Sequence, residues 1–202
     1  MNVCVIDDFL TDEWALEVFN AVVFGKFLFN EQTANSKNYS GELAKKLQDA
    51  PQFVASYMRG NILDDGAPHF LPYLFAGVIA SKTGIDTTKI LRCKANINLP
   101  LNGQVDGSFY EPHVDDPDLL GVQDFVTAIY YVDGSSGDTL FFDRDNNGCL
   151  TELQRVSPKK NRFVYFDGAI LHAGSPPVSG KRVVLNMDFL TTFKQPNNEV
   201  RK

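Results

Sequence analysis

The stretch FVTAIYYV at 125–132 consists almost entirely of β-branched and aromatic residues, the composition of a β-strand. Further strand-like stretches lie around it at short intervals, at 90–99, 138–142, 149–156, 162–166 and 182–190. Turn residues separate several of these stretches, notably at 133–137 and 145–148. Short strands spaced by turns predict a mainly β fold, a sandwich or barrel of the jelly-roll type.

The first 89 residues differ, because apolar residues recur there at helical spacing. Thr11 is a suitable N-cap in front of two acidic residues, which predicts a helix over 12–24. A second helix is predicted over 69–83, ending at Gly84. We expect these helices to pack against one sheet of the β fold.

The remaining N-terminal segments are interpreted from the same signals. A first strand is predicted over 3–9, and loops are predicted over 27–39 and 61–68. Helical spacing also runs over 42–58, where Pro51 predicts two short helices or one kinked helix.

These elements predict a single domain spanning 1–202. Residues 1–89 would form mostly helical support, and residues 90–192 the jelly-roll core. A frayed tail is expected from Gln195 onwards.

The composition excludes several classes of protein. A formal net charge of −6 argues against a surface that coats nucleic acid. No apolar run approaches the roughly 18 residues of a membrane-spanning helix, and the first residues lack the pattern of a signal peptide. Cys4, Cys93 and Cys149 show no CxxC spacing and are interpreted as reduced thiols. A cytoplasmic protein without a membrane partner is expected.

The segment FYEPHVDD at 109–116 places an imidazole and a carboxylate two residues apart. In extended backbone the side chains of His113 and Asp115 point to the same face, where they could bind one metal ion. A His-x-Asp pair often arises by chance, and alone it is more often an ordinary surface turn.

His172 is the candidate for a third ligand. It stands at a predicted strand end before a Gly/Pro turn, whereas His69 precedes a helical stretch and is interpreted as a capping or surface residue. Two imidazoles and one carboxylate form the ligand set that holds Fe(II) and leaves coordination positions open. The competing interpretation of His172 is an ordinary loop histidine.

In RVVLNMDFL at 182–190 every odd-numbered residue is apolar, so Arg182, Asn186 and Asp188 share the other face of a strand. A guanidinium at the start of this strand could clamp a carboxylate through two parallel hydrogen bonds. The turn after His172 is expected to return the chain antiparallel, beside the strand that ends in His172. The alternative for Arg182 is a surface charge at a strand end.

Together these residues resemble the Fe(II)/2-oxoglutarate-dependent dioxygenases, in particular their prolyl 4-hydroxylase-like branch. The resemblance rests on His113-Val114-Asp115, on His172 fifty-nine residues later within LHAGSPPV, and on Arg182 ten residues further on. TAIYYV at 127–132 resembles the family strand in which a Tyr contacts the 2-oxoglutarate carboxylate, and Tyr131 matches that Tyr. IDDFLTDE at 6–13 resembles the family's opening, so the likeness covers almost the whole chain.

The resemblance implies a double-stranded β-helix, or jelly-roll, in which His113, Asp115 and His172 hold Fe(II). The co-substrate 2-oxoglutarate would place its far carboxylate on Arg182 and Tyr131, with O₂ as the oxidant and ascorbate as a candidate reductant. Collagen-type members carry Lys in place of Arg182, so the substrate subclass does not follow. The loop at 100–112 is the expected mobile lid.

The implied activity is hydroxylation of an unactivated C–H bond. The first substrate hypothesis is a prolyl residue in a peptide or protein, and the second is a free amino acid or another small metabolite. Nucleic-acid dealkylation is disfavoured by the net charge of −6. The alternative of another class is a non-catalytic jelly-roll binding module, which is weakened because every metal and co-substrate position holds a competent residue. The oligomeric state stays open.

Overall fold

The computed structural model describes residues 3–31, 39–60, 62–64, 67–134 and 136–191. The helices are α1 (Asp12–Val23) and α2 (Phe70–Thr83), and two short 3₁₀ turns lie at Leu43–Lys46 and Pro117–Leu119. The strands, in chain order, are β1 (Val3–Ile6), β2 (Leu28–Asn30), β3 (Gln52–Arg59), β4 (Ile62–Leu63), β5 (Lys89–Asn98), β6 (Phe125–Tyr131), β7 (Thr139–Arg144), β8 (Leu150–Val156), β9 (Arg162–Asp167), β10 (Leu171–Gly174) and β11 (Arg182–Leu190).

The strands form two antiparallel sheets. The larger sheet has the order β1-β9-β6-β11-β5-β3-β2, with β4 paired to β3, and the smaller sheet has the order β10-β7-β8. Apolar side chains of the two sheets meet in a shared interior, for example Ile129 and Val164 with Phe141. The predicted jelly-roll fold class is therefore confirmed.

Both helices pack on the apolar face of the larger sheet. Val18 of α1 and Phe75 of α2 lie in one buried cluster with Leu185 and Met187 of β11. The odd-numbered face of β11 is thus the apolar one, as its alternation predicts. Among the described residues, neither helix has the length and apolar character to cross a membrane.

The helices begin and end close to their predicted positions. Thr11 caps α1, because its hydroxyl accepts a hydrogen bond from the backbone N–H of Trp14 at 3.4 Å. Gly84 follows α2 with a φ of +72°, in the left-handed region that favours glycine at a helix C-terminus.

The helical prediction over 42–58 is wrong for most of that span. Only Leu43–Lys46 forms a helical turn, and directly after Pro51 the chain enters β3. Proline interrupts a helix, and pairing with β5 supplies the hydrogen-bond partners that a continued helix would have provided. This part of the chain therefore adds a long strand to the larger sheet.

Two predicted loops contain short strands. Leu28–Asn30 forms β2 within the loop predicted over 27–39, and Ile62–Leu63 forms β4 within the loop predicted over 61–68. Both pair with β3, so their conformation depends on a strand that the sequence did not indicate. Residues 32–38, 61 and 65–66 lie outside the described part of the chain, as does the tail predicted from Gln195.

The pairing expected for the strand that begins at Arg182 is also wrong. β11 lies between β5 and β6 in the larger sheet, whereas β10 pairs with β7 in the smaller one. The intervening segment crosses from one sheet to the other instead of forming a hairpin. Arg182 consequently faces β10 across the interior, and a Cβ atom on Gly174 would lie 3.3 Å from the Arg182 guanidinium carbon.

Candidate metal centre and co-substrate pocket

The backbone brings the two candidate histidines together. His113 lies in an isolated antiparallel bridge with His172 of β10, and each residue's N–H donates to the other's carbonyl, at 2.9 and 3.0 Å. Residues directly opposite each other in such a pair project to the same face, so the ring centroids are 4.9 Å apart. This geometry arises from the pairing of two segments that are fifty-nine residues apart in sequence.

Asp115 completes a cluster of three potential ligands. Its Oδ1 lies 3.7 Å from His113 Nε2, and its Oδ2 lies 3.6 Å from His172 Nε2. One ligand atom from each residue lies within 4.8 Å of the others, a spacing that could hold a metal ion. The structure thus brings together all three residues that the sequence proposed as ligands.

The other ring nitrogen of each histidine faces a backbone carbonyl. His113 Nδ1 lies 3.0 Å from the Glu111 carbonyl oxygen, and His172 Nδ1 lies 3.1 Å from that of Ile170. A proton on Nδ1 would donate to these oxygens and leave the Nε2 lone pair for a metal. Burial, together with neighbouring His172, lowers the pKa of His113 to about 4, so its imidazole is neutral at pH 7.

Asp115 is held by a buried arginine. Arg92 Nη2 lies 2.5 Å from Asp115 Oδ1 and 2.7 Å from Asp188 Oδ2, and Asp188 also accepts a hydrogen bond from the Thr127 hydroxyl at 2.9 Å. Burial alone would raise the pKa of Asp115, but Arg92 and His172 hold it well below its ordinary value. Burial and the nearby Asp115 raise the pKa of Asp188 to about 7.

The second carboxylate oxygen of Asp115, Oδ2, is not the one that Arg92 contacts. Oδ2 is buried and forms no hydrogen bond within the described structure. An unsatisfied buried carboxylate oxygen is costly, and a cation beside it would remove that cost. Since two imidazole nitrogens, Nε2 of His113 and Nε2 of His172, lie beside the same carboxylate, the donor set fits a divalent metal such as Fe(II).

Arg182 lines the same cavity as His113 and His172. Its side chain is buried, with Nε donating to the Gly137 carbonyl and Nη2 to the Thr139 hydroxyl, both at 2.9 Å. Tyr131 supports this arrangement from behind, because its hydroxyl lies 2.6 Å from Thr139 Oγ1. The guanidinium is thereby fixed in one orientation, as a carboxylate clamp requires.

One cavity is lined by both candidate histidine ligands and by Arg182. Its walls are formed by Gln52, Lys94, Asn96, Asn98, Tyr110, His113, Ile129, Thr139, His172, Gly174, Arg182 and Asn186. Tyr131 is not among these residues, although the sequence placed it next to the co-substrate. The cavity is lined instead by Ile129, two residues earlier on β6, and by Thr139, the hydrogen-bond partner of Tyr131.

Sequence reasoning assigned no role to three residues of this site: Arg92, Lys94 and Tyr110. The signal for the first two was present in β5, where Arg92, Lys94, Asn96 and Asn98 occupy alternate positions and so share one face. The same alternation was recognised in β11. Nothing in the local sequence marks Tyr110, which follows the Gly-containing segment over 100–107.

Comparison with protein families finds a match for the C-terminal part of the chain. Residues 100–189 match the family model of the 2OG-Fe(II) oxygenase superfamily. This segment contains the three candidate ligands and Arg182, and over it the chain is similar to that superfamily. The resemblance inferred from the sequence is confirmed by this match, and the shared oxygenase fold supports an oxidoreductase. A search among curated proteins gives no match.

Solved structures share the fold over nearly the whole chain. A prolyl hydroxylase from Trichoplax adhaerens, solved with a hypoxia inducible factor peptide fragment, has a TM-score of 0.58 at 17% identity, covering 94% of this chain and 83% of that chain. A Pseudomonas putida prolyl-4-hydroxylase has a TM-score of 0.55 at 17% identity, covering 94% and 92%. The non-heme α-ketoglutarate-dependent epimerase SnoN from nogalamycin biosynthesis has a TM-score of 0.58 at 8% identity, covering 94% and 78%. At these identities the likeness concerns the fold and leaves the substrate open.

Proposed function

We propose that this protein is an Fe(II)- and 2-oxoglutarate-dependent oxygenase that hydroxylates an unactivated C–H bond, with a prolyl residue in a peptide or protein as the first substrate to test. The observation that carries the proposal is the placement of both candidate histidines and Arg182 in one cavity. Bound Fe(II) would supply the oxidative chemistry that couples conversion of 2-oxoglutarate and O₂ into succinate and CO₂ to hydroxylation of the substrate.

The protein's own residues would bind and orient the reactants. His113, Asp115 and His172 would hold the ion through Nε2, a carboxylate oxygen and Nε2. Arg182 would bind the far carboxylate of 2-oxoglutarate, since its guanidinium is already fixed by Gly137 and Thr139. The apolar interior between the two sheets, which includes Phe141 and Phe166, would limit access of water behind the metal.

Two substrate classes have separate support. The prolyl hypothesis is supported by the shared fold with prolyl hydroxylases, one of which was solved with a peptide fragment. A free amino acid or small metabolite is favoured by a feature of this chain, because most of the cavity wall is polar. The cytoplasmic location and the lid function of residues 100–112 stay predictions.

The test is succinate formation by the purified protein with Fe(II), 2-oxoglutarate and O₂, with and without ascorbate. A panel of prolyl peptides and small metabolites would be added, and products carrying one additional oxygen atom would be sought by mass spectrometry. His172→Ala should abolish succinate formation, whereas His69→Ala, which alters an exposed histidine outside the cluster, should not. Absence of both turnover and metal binding would instead support a non-catalytic binding module.

A further inference from the structure

One wall of the cavity carries a cation that the proposed chemistry leaves unused. β5 directs Lys94, Asn96 and Asn98 towards the cavity. In the strand register Lys94 lies opposite Asn186 of β11, and Asn98 lies opposite Arg182. Lys94 therefore belongs to the part of the wall away from Arg182, and it lines the same cavity as His113 and His172.

Among the described residues, Lys94 has no anionic partner of its own. Within the described part of the chain it forms no salt bridge, and the nearby carboxylates of Asp115 and Asp188 are both bound by Arg92. Burial and the adjacent positive charge of Arg92 lower the pKa of Lys94. A partly buried ammonium group in this position would be stabilised by an anion from outside the protein.

The charges around the site also favour an anion beside Lys94. With Lys94 in its ammonium form, the cavity wall and the salt bridges beside it contain three cations, Arg92, Lys94 and Arg182, and at most two anions, Asp115 and Asp188. A divalent metal ion and the 2-oxoglutarate dianion would cancel each other's charge. One positive charge then remains uncompensated, and Lys94 is the cation without a partner. An anionic substrate group would balance it.

The polar groups around Lys94 suit a small substrate with several hydrogen-bonding atoms. Asn96 Oδ1 and the Tyr110 hydroxyl are buried and have no hydrogen-bond partner among the described residues. Both residues line the cavity, as do the amides of Asn98 and Asn186. Unpaired donors and acceptors of this kind discriminate strongly in favour of ligands that satisfy them.

We propose that Lys94 binds a carboxylate of the primary substrate, so that the substrate is a small polar carboxylic acid, such as a free amino acid. This inference rests on the proposed oxygenase reaction, and of the two substrate classes proposed above it selects the free amino acid or small metabolite over the prolyl residue of a peptide. Arg182 serves the co-substrate at one end of the cavity, and Lys94 serves the substrate at the other. An internal residue of a peptide, whose carboxylate is replaced by an amide, would leave Lys94 without its partner.

The experiment compares free L-amino acids, including L-proline, with their carboxamides as stimulators of succinate formation. The wild-type protein should prefer the acid of a pair, and Lys94→Met should raise KM for that acid about 10- to 100-fold relative to the amide. Expressing the result as an acid-to-amide ratio cancels any general loss of activity. Lys94→Arg should retain part of the preference, and Lys89→Met, at the exposed start of the same strand, should retain all of it.

Binding is measured in parallel, as the thermal shift that each acid and amide causes in protein loaded with Ni(II) and 2-oxoglutarate. Acid-selective stabilisation that disappears in Lys94→Met would support the inference even if no variant formed succinate, a result that would overturn the proposed function alone. Equal responses to acid and amide, or stimulation by internal prolyl peptides alone, would overturn the role of Lys94. So would a Lys94→Met variant that changes only the 2-oxoglutarate requirement.

Discussion

The cavity has two ends, the one beside the three candidate metal ligands (the metal end) and the one with Arg182, where we propose that 2-oxoglutarate binds (the co-substrate end). The side chains at these two ends are held in place by different forces. At the metal end, Asp115 is held in place by an opposite charge, because Arg92 bridges it to Asp188. At the co-substrate end, Arg182 is held by neutral groups, the Gly137 carbonyl and the Thr139 hydroxyl. One end thus depends on buried charges that balance one another, and the other on hydrogen bonds to a strand and the turn before it.

This difference predicts how substitutions at each end should change folding stability and ligand affinity. Removing one member of a buried ion pair leaves an uncompensated charge and costs about 3–5 kcal/mol. Removing a neutral hydrogen-bond partner costs about 0.5–1.5 kcal/mol. Changes at the metal end should therefore alter folding stability and metal binding together, whereas changes at the Arg182 end should chiefly alter the affinity for 2-oxoglutarate and have a smaller effect on stability.

The largest effect is expected for Asp115→Asn, which keeps the side-chain volume and removes the negative charge. Metal affinity should fall by more than about 100-fold, since the loss of a ligand should exceed the typical effect of changing a group that only supports one. Succinate formation should fall to background. Metal affinity is measured by calorimetric titration with Co(II), and Asp116→Asn, which alters the adjacent acid outside the cluster, is the matched control. Wild-type metal affinity in Asp115→Asn would place the metal elsewhere.

Arg92→Met tests how far the charge of Arg92 stabilises the metal end. It leaves two buried carboxylates, Asp115 and Asp188, without the arginine that binds both of them, so the free energy of unfolding of the metal-free protein should fall by about 3–5 kcal/mol. Urea unfolding with and without Co(II) measures this effect. Because the ion neutralises Asp115, Co(II) should stabilise Arg92→Met more than it stabilises the wild-type protein.

The double variant Arg92→Met/Asp188→Asn is the control for this balance. It removes one cation and one anion, so part of the lost stability should return. If both variants unfolded like the wild-type protein, the Arg92 bridge would not be what orders the metal end.

Arg182→Gln should weaken co-substrate binding without weakening metal binding. The apparent KM for 2-oxoglutarate should rise about 100-fold, the scale expected when one member of a buried charge pair is truncated. Co(II) affinity should stay near the wild-type value, because Arg182 contacts no metal ligand among its hydrogen-bond partners. Lys181→Gln is the neighbouring control. An unchanged 2-oxoglutarate requirement in Arg182→Gln would mean that the co-substrate binds another cation.

The sequence predicted much of this site because ligand chemistry and strand geometry are both local. The alternation of β11 placed Arg182, Asn186 and Asp188 on one face, and the structure confirms that its other face packs beneath the helices. The His113, Asp115 and His172 set followed from residue types that Fe(II) prefers, and it needed only two segments of extended backbone to be brought together.

What the sequence did not reveal depends on pairing between distant strands. Arg92 meets Asp188 because the two residues are opposite each other in the β5–β11 register, and a shift of one residue would direct one of them to the other face. The same holds for β3, whose helical spacing over 42–58 was overridden by its pairing with β5. Local patterns indicate which residues share a face, but not which residues of another strand they meet.

Tyr131→Phe should produce the smallest effect and test whether Tyr131 acts directly or through Thr139. The Tyr131 hydroxyl pairs with Thr139, which in turn accepts from Arg182, so its loss should cost about 1 kcal/mol and raise the KM for 2-oxoglutarate by about fivefold at most. Tyr130→Phe is the matched control, because the Tyr130 hydroxyl pairs with Asn161 outside the cavity. If Tyr131→Phe instead matched Arg182→Gln, the phenol would have to contact the co-substrate itself, as the resemblance to the family implies. The co-substrate end would then resemble the metal end in depending on a direct ligand contact, and not only on a prearranged clamp.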